Sequence, residues 1–444
     1  MAADREMVFI DKLVTGGVGL GRLADGMVVM VEGVLAGERV AVRLGARRGG
    51  YRQAELVEVL EPSPERVAPP CPHYGRCGGC DLQHGVAHGQ ASIKAAILQE
   101  LLLRSSLFDE EGLAAVWQEP LPSPHPFHYR QRIRLQVTPA GGFGFRRSRS
   151  HEVEEVRGCL LARPEINEAM ARLAGSLPLA RLLRQSRELE LIASPADRDL
   201  VLLLHFNRRP RPADCKAAAE TAAAVGVRCL LLAVEGQGLF GPFGSEGKEA
   251  LIRFLLPGRP GAGGELVLTV EPGGFSQVNP EQNVNLIRQM LAWAQEEPVG
   301  RVLDCHCGMG NFSLPLALAA EQVVGCDLQG AAIRSGRRNA QLNKITNCRF
   351  EKQAAASFVA GLAEAGETFD LLLLDPPRQG CADLVPLLPA LAAERIIYIS
   401  CDPATLVRDL AGLAGQGYRV RHLRMVDMFP QTHHLEVITL LDRR

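Results

Sequence analysis

The chain has 444 residues, of which 47% are apolar and 22% charged, and its mean hydropathy is +0.03. This length allows about three domains, each large enough to bury its own core. No apolar run approaches the roughly 18 residues that a membrane span needs. Residues 1–7 hold three charges and no apolar segment, so we expect no secretion signal. These features together predict a cytoplasmic protein that has no membrane partner.

The net charge of −1 is a weak argument against a nucleic-acid partner, but the arginines are unevenly distributed. Two stretches of the chain, 39–52 and 130–149, contain several arginines and no acidic residue. Their members are Arg39, Arg43, Arg47, Arg48 and Arg52, followed by Arg130, Arg132, Arg134, Arg146, Arg147 and Arg149. Two solvated strand faces would give the same pattern. Aromatic residues near the second stretch favour a surface that binds a polyanion.

The first 66 residues read as short strands between glycine-rich turns such as residues 15–21. Predicted strands cover 7–10, 27–31, 39–44 and 54–60. Frequent turns between alternating strands are typical of a small antiparallel barrel. The proline-rich stretch that begins at Glu61 predicts a domain boundary near residue 66.

Residues 67–264 mix helices and strands, and residues 265–444 alternate between them regularly. The first region predicts helices over 90–104 and 213–224 and strands over 132–137, 189–193, 200–206 and 228–234. Four glycines and a proline between Gly258 and Gly264 predict a linker. The second region has short apolar runs at 301–304, 322–327, 370–375 and 395–400. Such runs are typical of a parallel sheet that is buried on both faces.

A glycine-containing loop follows the strand that is predicted to begin at Arg301. Gly308 and Gly310 would let the backbone approach a ligand at a helix N-terminus. Asp327 lies nineteen residues past Gly308, at the end of the next strand, where a carboxylate can accept ribose hydroxyls. The third glycine of a dinucleotide-binding motif is absent. The pattern therefore favours a nucleoside cofactor without a pyrophosphate, and S-adenosylmethionine is the most common one. A strand–loop–helix turn with a capping aspartate is the alternative.

Two later strands also end in polar residues on the ligand side of such a sheet. Asp375 begins Asp-Pro-Pro-Arg, whose prolines end the strand and stiffen the turn. Cys401 follows Tyr-Ile-Ser and is a candidate nucleophile, because a thiolate that adds to C6 of uracil makes C5 able to attack a methyl group. A small buried thiol is the alternative. A base must then remove the C5 proton. The candidates are Glu436, His433 and His434, among which spacing does not decide.

Three of the twelve cysteines lie within ten residues, as Cys71-x5-Cys77-x2-Cys80. Cys159 is the best candidate for a fourth ligand. Four thiolates suit zinc and an iron–sulfur cluster equally, and spacing alone leaves this choice open. Reduced thiols with no ligand are a third interpretation.

Taken together, these motifs resemble the bacterial RNA uracil-C5 methyltransferases, which form 5-methyluridine in ribosomal or transfer RNA. The resemblance covers essentially the whole chain. It implies an α/β fold class with a Rossmann-like S-adenosylmethionine methyltransferase domain at 265–444. It also implies an OB-like TRAM barrel that binds RNA at 1–66, and a central α+β domain at 67–264. The helix at 90–104 could pack on the C-terminal domain.

The resemblance also implies roles for individual residues. Cys401 corresponds to the family nucleophile, and Glu436 to the general base. The cofactor would contact Gln277, His306, Gly308, Gly310, Asn311, Asp327 and Asp375. The cysteine pattern, with Cys71, Cys77, Cys80 and Cys159, matches the 4Fe-4S site of the subgroup that acts on large-subunit ribosomal RNA. A uridine of 23S ribosomal RNA is thus favoured over one in transfer RNA, and we expect a monomer.

Two positions depart from the family pattern. His306 stands where an aromatic residue is usual before the Cys-Gly of the loop, and Ala354 lies where many relatives carry a polar residue near adenine. Adenine contacts are therefore expected to be weaker or differently made. An amino methyltransferase that uses Asp-Pro-Pro is an alternative, although Arg378 takes the place of its aromatic residue. A non-catalytic RNA-binding protein is another.

Overall fold

The computed structural model describes residues 5–244, 249–258 and 264–443. These residues contain a closed five-stranded barrel, a seven-stranded sheet, a two-stranded hairpin and an eight-stranded sheet. No helix within these ranges is long and apolar enough to cross a membrane.

The barrel is formed by the first five strands, which are β1 (Arg5–Val14), β2 (Val18–Arg22), β3 (Val28–Val31), β4 (Arg39–Arg48) and β5 (Tyr51–Glu61). Two expectations about it were wrong. β2 lies inside the segment interpreted as a turn, because its glycines serve close packing: a Cβ at Gly19 would lie 2.2 Å from Val34 Cγ2. In addition, β3 and β5 pair in parallel, so the barrel is not wholly antiparallel.

The next segment packs on the C-terminal sheet. It contains α1 (Ala87–Arg104), α2 (Glu110–Val116) and β6 (Trp117–Leu121), and β6 is the edge strand of the eight-stranded sheet. The apolar face of α1, with Leu98 and Leu102, shares a core with Leu372 and Tyr398 of that sheet. The predicted central domain, 67–264, therefore includes a segment that belongs structurally to the C-terminal unit.

The seven-stranded sheet has apolar side chains on both faces. Its strands are β7 (Arg132–Val137), β8 (Phe143–Arg146), β9 (Val153–Glu155), β10 (Ser186–Ser194), β11 (Asp199–Phe206), β12 (Cys229–Val234) and β13 (Gly238–Phe243). Its helices are α3 (Pro164–Leu173), α4 (Leu177–Leu183) and α5 (Pro212–Val225). Along β11, Leu202 packs with these helices, whereas Leu203 faces the hairpin and the C-terminal unit. This alternation is what the period of a strand requires.

The predicted glycine linker connects two paired strands instead of separating two domains. β14 (Ile252–Pro257) and β15 (Glu265–Val270) pair antiparallel along their whole length. Residues 259–263 of the linker lie outside the described residues. The boundary predicted at residue 264 consequently falls inside a hairpin.

The eight-stranded sheet has the order β18-β17-β16-β19-β20-β22-β21-β6. Its elements in chain order are α6 (Pro280–Ala294), β16 (Arg301–Cys305), α7 (Ser313–Ala317), β17 (Gln322–Asp327), α8 (Gly330–Leu342), β18 (Cys348–Lys352), α9 (Ala355–Glu364), β19 (Leu371–Leu374), a 3-10 turn (Leu388–Leu391), β20 (Arg395–Ser400), α10 (Pro403–Gly415), β21 (Tyr418–Val426) and β22 (Glu436–Arg443).

The first five strands of that order are parallel, so their carboxyl ends share one edge. β22 runs antiparallel to β20, and Ser400 pairs with Val437. The start of β22 therefore lies at the same edge as the ends of the parallel strands. Open α/β sheets bind their ligands at this edge.

Candidate active site

The predicted nucleophile and one predicted base meet at the end of a strand pair. Ser400 pairs with Val437 in an antiparallel ladder, so Cys401 and Glu436 are the next residues opposite each other. Cys401 is half-buried, and Glu436 is only 3% exposed. Asp402 then caps α10, because its Oδ1 accepts a hydrogen bond of 2.9 Å from the Thr405 N–H. The cysteine is thus fixed between a strand end and a helix start.

Burial shifts the protonation of every acid at this centre. It raises the pKa of Glu436 well above the usual carboxyl range, and the charge of Asp375 adds to the effect. Burial also raises the pKa of Asp375 to about 7. The pKa of the Cys401 thiol is raised to about 11 by burial and then by the two carboxylates, while Arg378 opposes the shift. A carboxyl with a raised pKa can accept a proton near neutral pH.

The two histidines that rival Glu436 have other surroundings. His433 Nδ1 lies 2.5 Å from Asp81 Oδ2, in the loop that carries the three clustered cysteines. Burial, followed by the charges of His433 and Arg378, lowers the pKa of His434 to about 4. Such an imidazole is a weak base at neutral pH. The geometry therefore favours Glu436 among the three candidates.

The glycine loop and the acid of the next strand also meet as predicted. The Gly308 N–H donates a hydrogen bond of 3.1 Å to Asp327 Oδ2, and the Gln329 N–H donates one of 2.7 Å to Oδ1. Gly308 and Gly310 have φ values of +56° and +88°, a region that favours glycine. The loop and Asp327 are thereby held in one fixed arrangement at the binding edge of the sheet.

Gln277 and Asn311 line one cavity of about 310 Å³, together with Met309. Asn311 exchanges two hydrogen bonds with Asn283, at 2.8 and 3.0 Å. The backbone oxygen of Gln277 accepts a bond of 2.6 Å from Gln131 Nε2 of the central domain. Two of the predicted cofactor residues, Gln277 and Asn311, thus come together from separate segments, as a binding site requires.

His306 and Asp304 flank the glycine loop with unsatisfied polar atoms. His306 has a φ of +69°, and its buried Nδ1 has no hydrogen-bond partner among the described residues. Burial lowers the pKa of His306, which favours the neutral ring. Asp304 was missed by the sequence analysis. Burial, with the charges of Asp375 and Asp327, raises its pKa to about 8. An acid inside an apolar strand was the signal that could have found it.

The four predicted metal ligands, Cys71, Cys77, Cys80 and Cys159, are free thiols in one neighbourhood. Burial raises the pKa of Cys77 to about 11 and that of Cys80 to about 12, and charges on the other thiols of the set act in the same direction. Arg130 lies close enough to lower the pKa of Cys80 and Cys159. No group of three or more His, Cys, Asp or Glu side chains in the described ranges is arranged to hold a metal ion.

The two arginine clusters are only partly free of acidic partners in the structure. Carboxylates from other parts of the chain or from nearby residues pair with six of these eleven arginines. The pairs are Arg39–Glu61, Arg43–Glu55, Arg132–Glu190, Arg134–Glu188, Arg147–Glu152 and Arg149–Glu32. In contrast, Arg47, Arg48 and Arg52 at the β4–β5 hairpin form no ion pair with any described residue. Arg47 is opposite Arg52 in the ladder, and like charges placed opposite each other are destabilising.

The fold and the arrangement of loop and acid define a Rossmann-like methyltransferase domain. A family model described as tRNA (Uracil-5-)-methyltransferase matches residues 263–444. A 23S rRNA (uracil(1939)-C(5))-methyltransferase of Pectobacterium atrosepticum is 35% identical, over 94% of this chain and 89% of that protein. The one of Pseudomonas putida is also 35% identical, over 99% and 94%. The crystal structure of Pyrococcus abyssi tRNA (uracil-54, C5)-methyltransferase with S-adenosyl-L-homocysteine superposes with a TM-score of 0.75 at 26% identity, covering 99% and 100% of the chains.

The chain belongs to the RNA uracil-C5 methyltransferase family. This membership supersedes the amino methyltransferase and the non-catalytic protein as alternatives. It also agrees with the geometry, which places a thiol and a buried carboxyl opposite each other.

Titration of Glu436 should be visible in the stability of the protein. Its pKa is raised by burial, so the folded protein holds this proton more tightly than the unfolded chain does. Stability therefore falls as the pH rises from the ordinary carboxyl pKa through the raised one. Glu436→Gln removes this loss, so the melting temperature of the variant, relative to that of the wild type, should rise as the pH increases above the ordinary carboxyl pKa.

A difference between Glu436→Gln and the wild type that is the same at every pH would contradict the assignment of a raised pKa.

Proposed function

We propose that this protein transfers a methyl group from S-adenosylmethionine to C5 of a uridine in 23S ribosomal RNA. The single observation that carries the chemistry is the strand register that sets Cys401 opposite Glu436. The ribosomal substrate is supported by the relatives from Pectobacterium and Pseudomonas, which are more similar in sequence than the tRNA enzyme from Pyrococcus. Transfer RNA is the second candidate substrate.

In the proposed reaction, the Cys401 thiolate adds to C6 of the uracil and the C5=C6 double bond opens. The electron pair at C5 then takes up the methyl group. Glu436 removes the remaining C5 proton, the double bond re-forms, and the C6–S bond breaks to release Cys401. Arg378 assists the first step, because its charge opposes the raised pKa of the thiol. Bound S-adenosylmethionine supplies an electrophilic methyl group.

The proposed cofactor contacts follow the geometry of the loop. Asp327 would accept the ribose hydroxyls, since the Gly308 and Gln329 amides already orient its carboxylate. Gln277 and Asn311 would hold the ligand from the neighbouring cavity. The unpaired Nδ1 of His306 is available for a polar contact that an aromatic residue at this position lacks. Asp375 would contact the cofactor from the end of β19.

Variants of the two catalytic residues should fail at different steps. Cys401→Ala should lower the rate by about 10⁴-fold or more and give no adduct, because no nucleophile remains. Glu436→Gln should complete methyl transfer but retain a protein–RNA adduct that survives denaturing gels. Cys348→Ser, at a half-buried thiol on β18, is the control and should stay active. The readouts are the adduct band and the mass of the modified nucleoside.

Full activity in Cys401→Ala would contradict this mechanism. Methylated positions mapped in ribosomal RNA from cells with and without the gene would separate the two substrates. Loss of a 23S uridine methylation is expected, and loss confined to transfer RNA would support the second candidate.

The four thiols suit a 4Fe-4S cluster, for which four thiolates are the required ligand set. Arg130 would offset part of the negative charge of such a site. A cluster is larger than a single zinc ion, so its ligands stand farther apart. The four thiols act electrostatically on one another, which supports their belonging to one site. The cluster would organise the loop over residues 71–81.

Anaerobically purified protein should contain about four iron and four sulfide per chain. Cys80→Ser should lose most of both, whereas Cys215→Ser, outside the set, should retain them. Zinc without labile sulfide would contradict the cluster assignment.

The N-terminal barrel is proposed to be a TRAM-like module that contacts RNA through Arg47, Arg48 and Arg52. Arg47 and Arg52 face each other across the ladder, none of the three has an acidic partner among the described residues, and phosphates would relieve the repulsion. Tyr51, opposite Arg48, offers a ring for base stacking. The paired arginines of the barrel contribute less, because their charge is already balanced.

Replacing these three arginines by alanine should make the slope of log affinity against log salt shallower by about 2–3. RNA binding measured by anisotropy over a salt series gives this slope. The triple variant Arg181→Ala/Arg184→Ala/Arg209→Ala removes the same net charge at exposed positions of the central domain and should change the slope by less than about 1. Equal changes in both variants would show that net charge alone is responsible.

A further inference from the structure

The loop between β21 and β22, residues 427–435, delivers Glu436 to the proposed active site, and many of its hydrogen bonds come from segments that precede β7 in the chain. The cysteine loop supplies the first set. The Asp81 and Leu82 N–H groups each donate a hydrogen bond of 3.1 Å to the backbone oxygen of Gln431. Asp81 also holds His433, with Oδ2 and Nδ1 2.5 Å apart.

Helix α1 supplies the second set of contacts. Gln90 Nε2 donates a bond of 3.0 Å to Gln431 Oε1, and the Gln431 N–H donates one of 2.8 Å to Gln90 Oε1. Lys94 is fully buried and lies 2.7 Å from Asp427 Oδ1 and 2.9 Å from the Phe429 oxygen. The backbone of the loop is therefore fixed at residues 427, 429 and 431.

The barrel and the central domain complete the support. Gly17, in the β1–β2 turn, has a φ of +70°, and a Cβ there would lie 3.0 Å from His433 Cβ. The Tyr129 hydroxyl donates a bond of 3.0 Å to the Pro430 oxygen. His433 thus lies where the barrel, the cysteine loop and the terminal loop meet.

On its other side, His433 contacts the catalytic centre through His434. The two ring centroids are 4.2 Å apart, and the His434 ring packs edge-on against Phe429 at 5.9 Å. Arg378 acts electrostatically on both His434 and Glu436, so the three side chains share one neighbourhood. A displacement of His433 would therefore be transmitted within three residues to Glu436.

We propose that Asp81 is a positioning residue that, through His433, fixes the loop carrying Glu436, so that removal of the C5 proton depends on the order of the cysteine loop. This inference rests on the proposed function. Asp81 directly follows Cys80, a proposed cluster ligand, so one short loop joins the thiols to the base. Methyl transfer depends on Cys401, at the end of β20, and should depend on Asp81 much less.

The test separates the two halves of the reaction in single turnovers on a 23S RNA fragment with labelled methyl donor. Asp81→Ala should slow the release of methylated RNA from the adduct by at least about 10-fold, since small displacements of a catalytic group are costly. Methyl incorporation into the adduct should fall by less than about 3-fold. The adduct should accumulate. Asp81→Asn can still accept a hydrogen bond from His433 and should restore most of the release rate.

The matched control is Glu100→Gln, which removes another ion pair between modules, Lys12–Glu100 at 2.6 Å, far from residues 427–435 in its contacts. Glu100→Gln should not change the ratio of the rate of RNA release to the rate of methyl transfer. Amide exchange over 427–436 should rise in Asp81→Ala and not in Glu100→Gln. His433→Ala should reproduce Asp81→Ala, and the double variant should add nothing further.

Two results would overturn the proposal: an unchanged ratio in Asp81→Ala, or an equal fall of both steps, which a merely structural role would produce. A wild-type protein that forms no 5-methyluridine would instead refute the proposed function on which the inference rests.

Discussion

The antiparallel pairing of β20 with β22 is the constraint on which the active site depends. Without it, the carboxyl edge of the parallel strands would hold Cys401 and Asp375 but not Glu436. The pair Ser400–Val437 extends the register so that a thiol and an acid, 35 residues apart in sequence, become neighbours. The same pairing buries Glu436 and so raises its pKa. One strand register thus provides both the geometry and the proton affinity that the proposed reaction needs.

The other modules stabilise this arrangement. One apolar core runs from Leu203 of the central sheet through Phe254 of the hairpin to Ile399 of β20. The buried pair Lys94–Asp427 ties α1 to the loop before β22, and breaking such a pair costs about 3–5 kcal/mol because one charge is left buried alone. The barrel, the cysteine loop and α1 therefore contribute to the catalytic site as well as to the contacts proposed for RNA.

The sequence predicted much of the C-terminal sheet because its strands are short apolar runs that end in polar residues. The strands predicted at 322–327 and 395–400 have the same bounds in the structure. The sequence also predicted that the glycine loop and Asp327 serve one ligand, and the structure joins them directly through the bond from the Gly308 N–H to Asp327 Oδ2. Local sequence patterns were sufficient where residues that are close in the sequence are also close in the structure.

Features that depend on distant partners were missed. β6 is an edge strand whose partner β21 lies some 300 residues away, so no local periodicity marks it. Several arginines appeared unpaired because their carboxylates lie far away in the sequence, as with Arg149 and Glu32. The contact between Asp81 and His433 joins residues 352 positions apart. Asp304 was overlooked because a single acid in an apolar strand has no motif around it.

The most direct test of the central claim uses RNA in which the target uridine is replaced by 5-fluorouridine. Fluorine at C5 cannot leave as a proton does, so the covalent intermediate should persist. We expect a stable protein–RNA complex. After digestion of this complex, the methylated nucleotide should be attached to the peptide that contains Cys401. A complex attached at another residue, or no complex from a protein that methylates ordinary RNA, would contradict it.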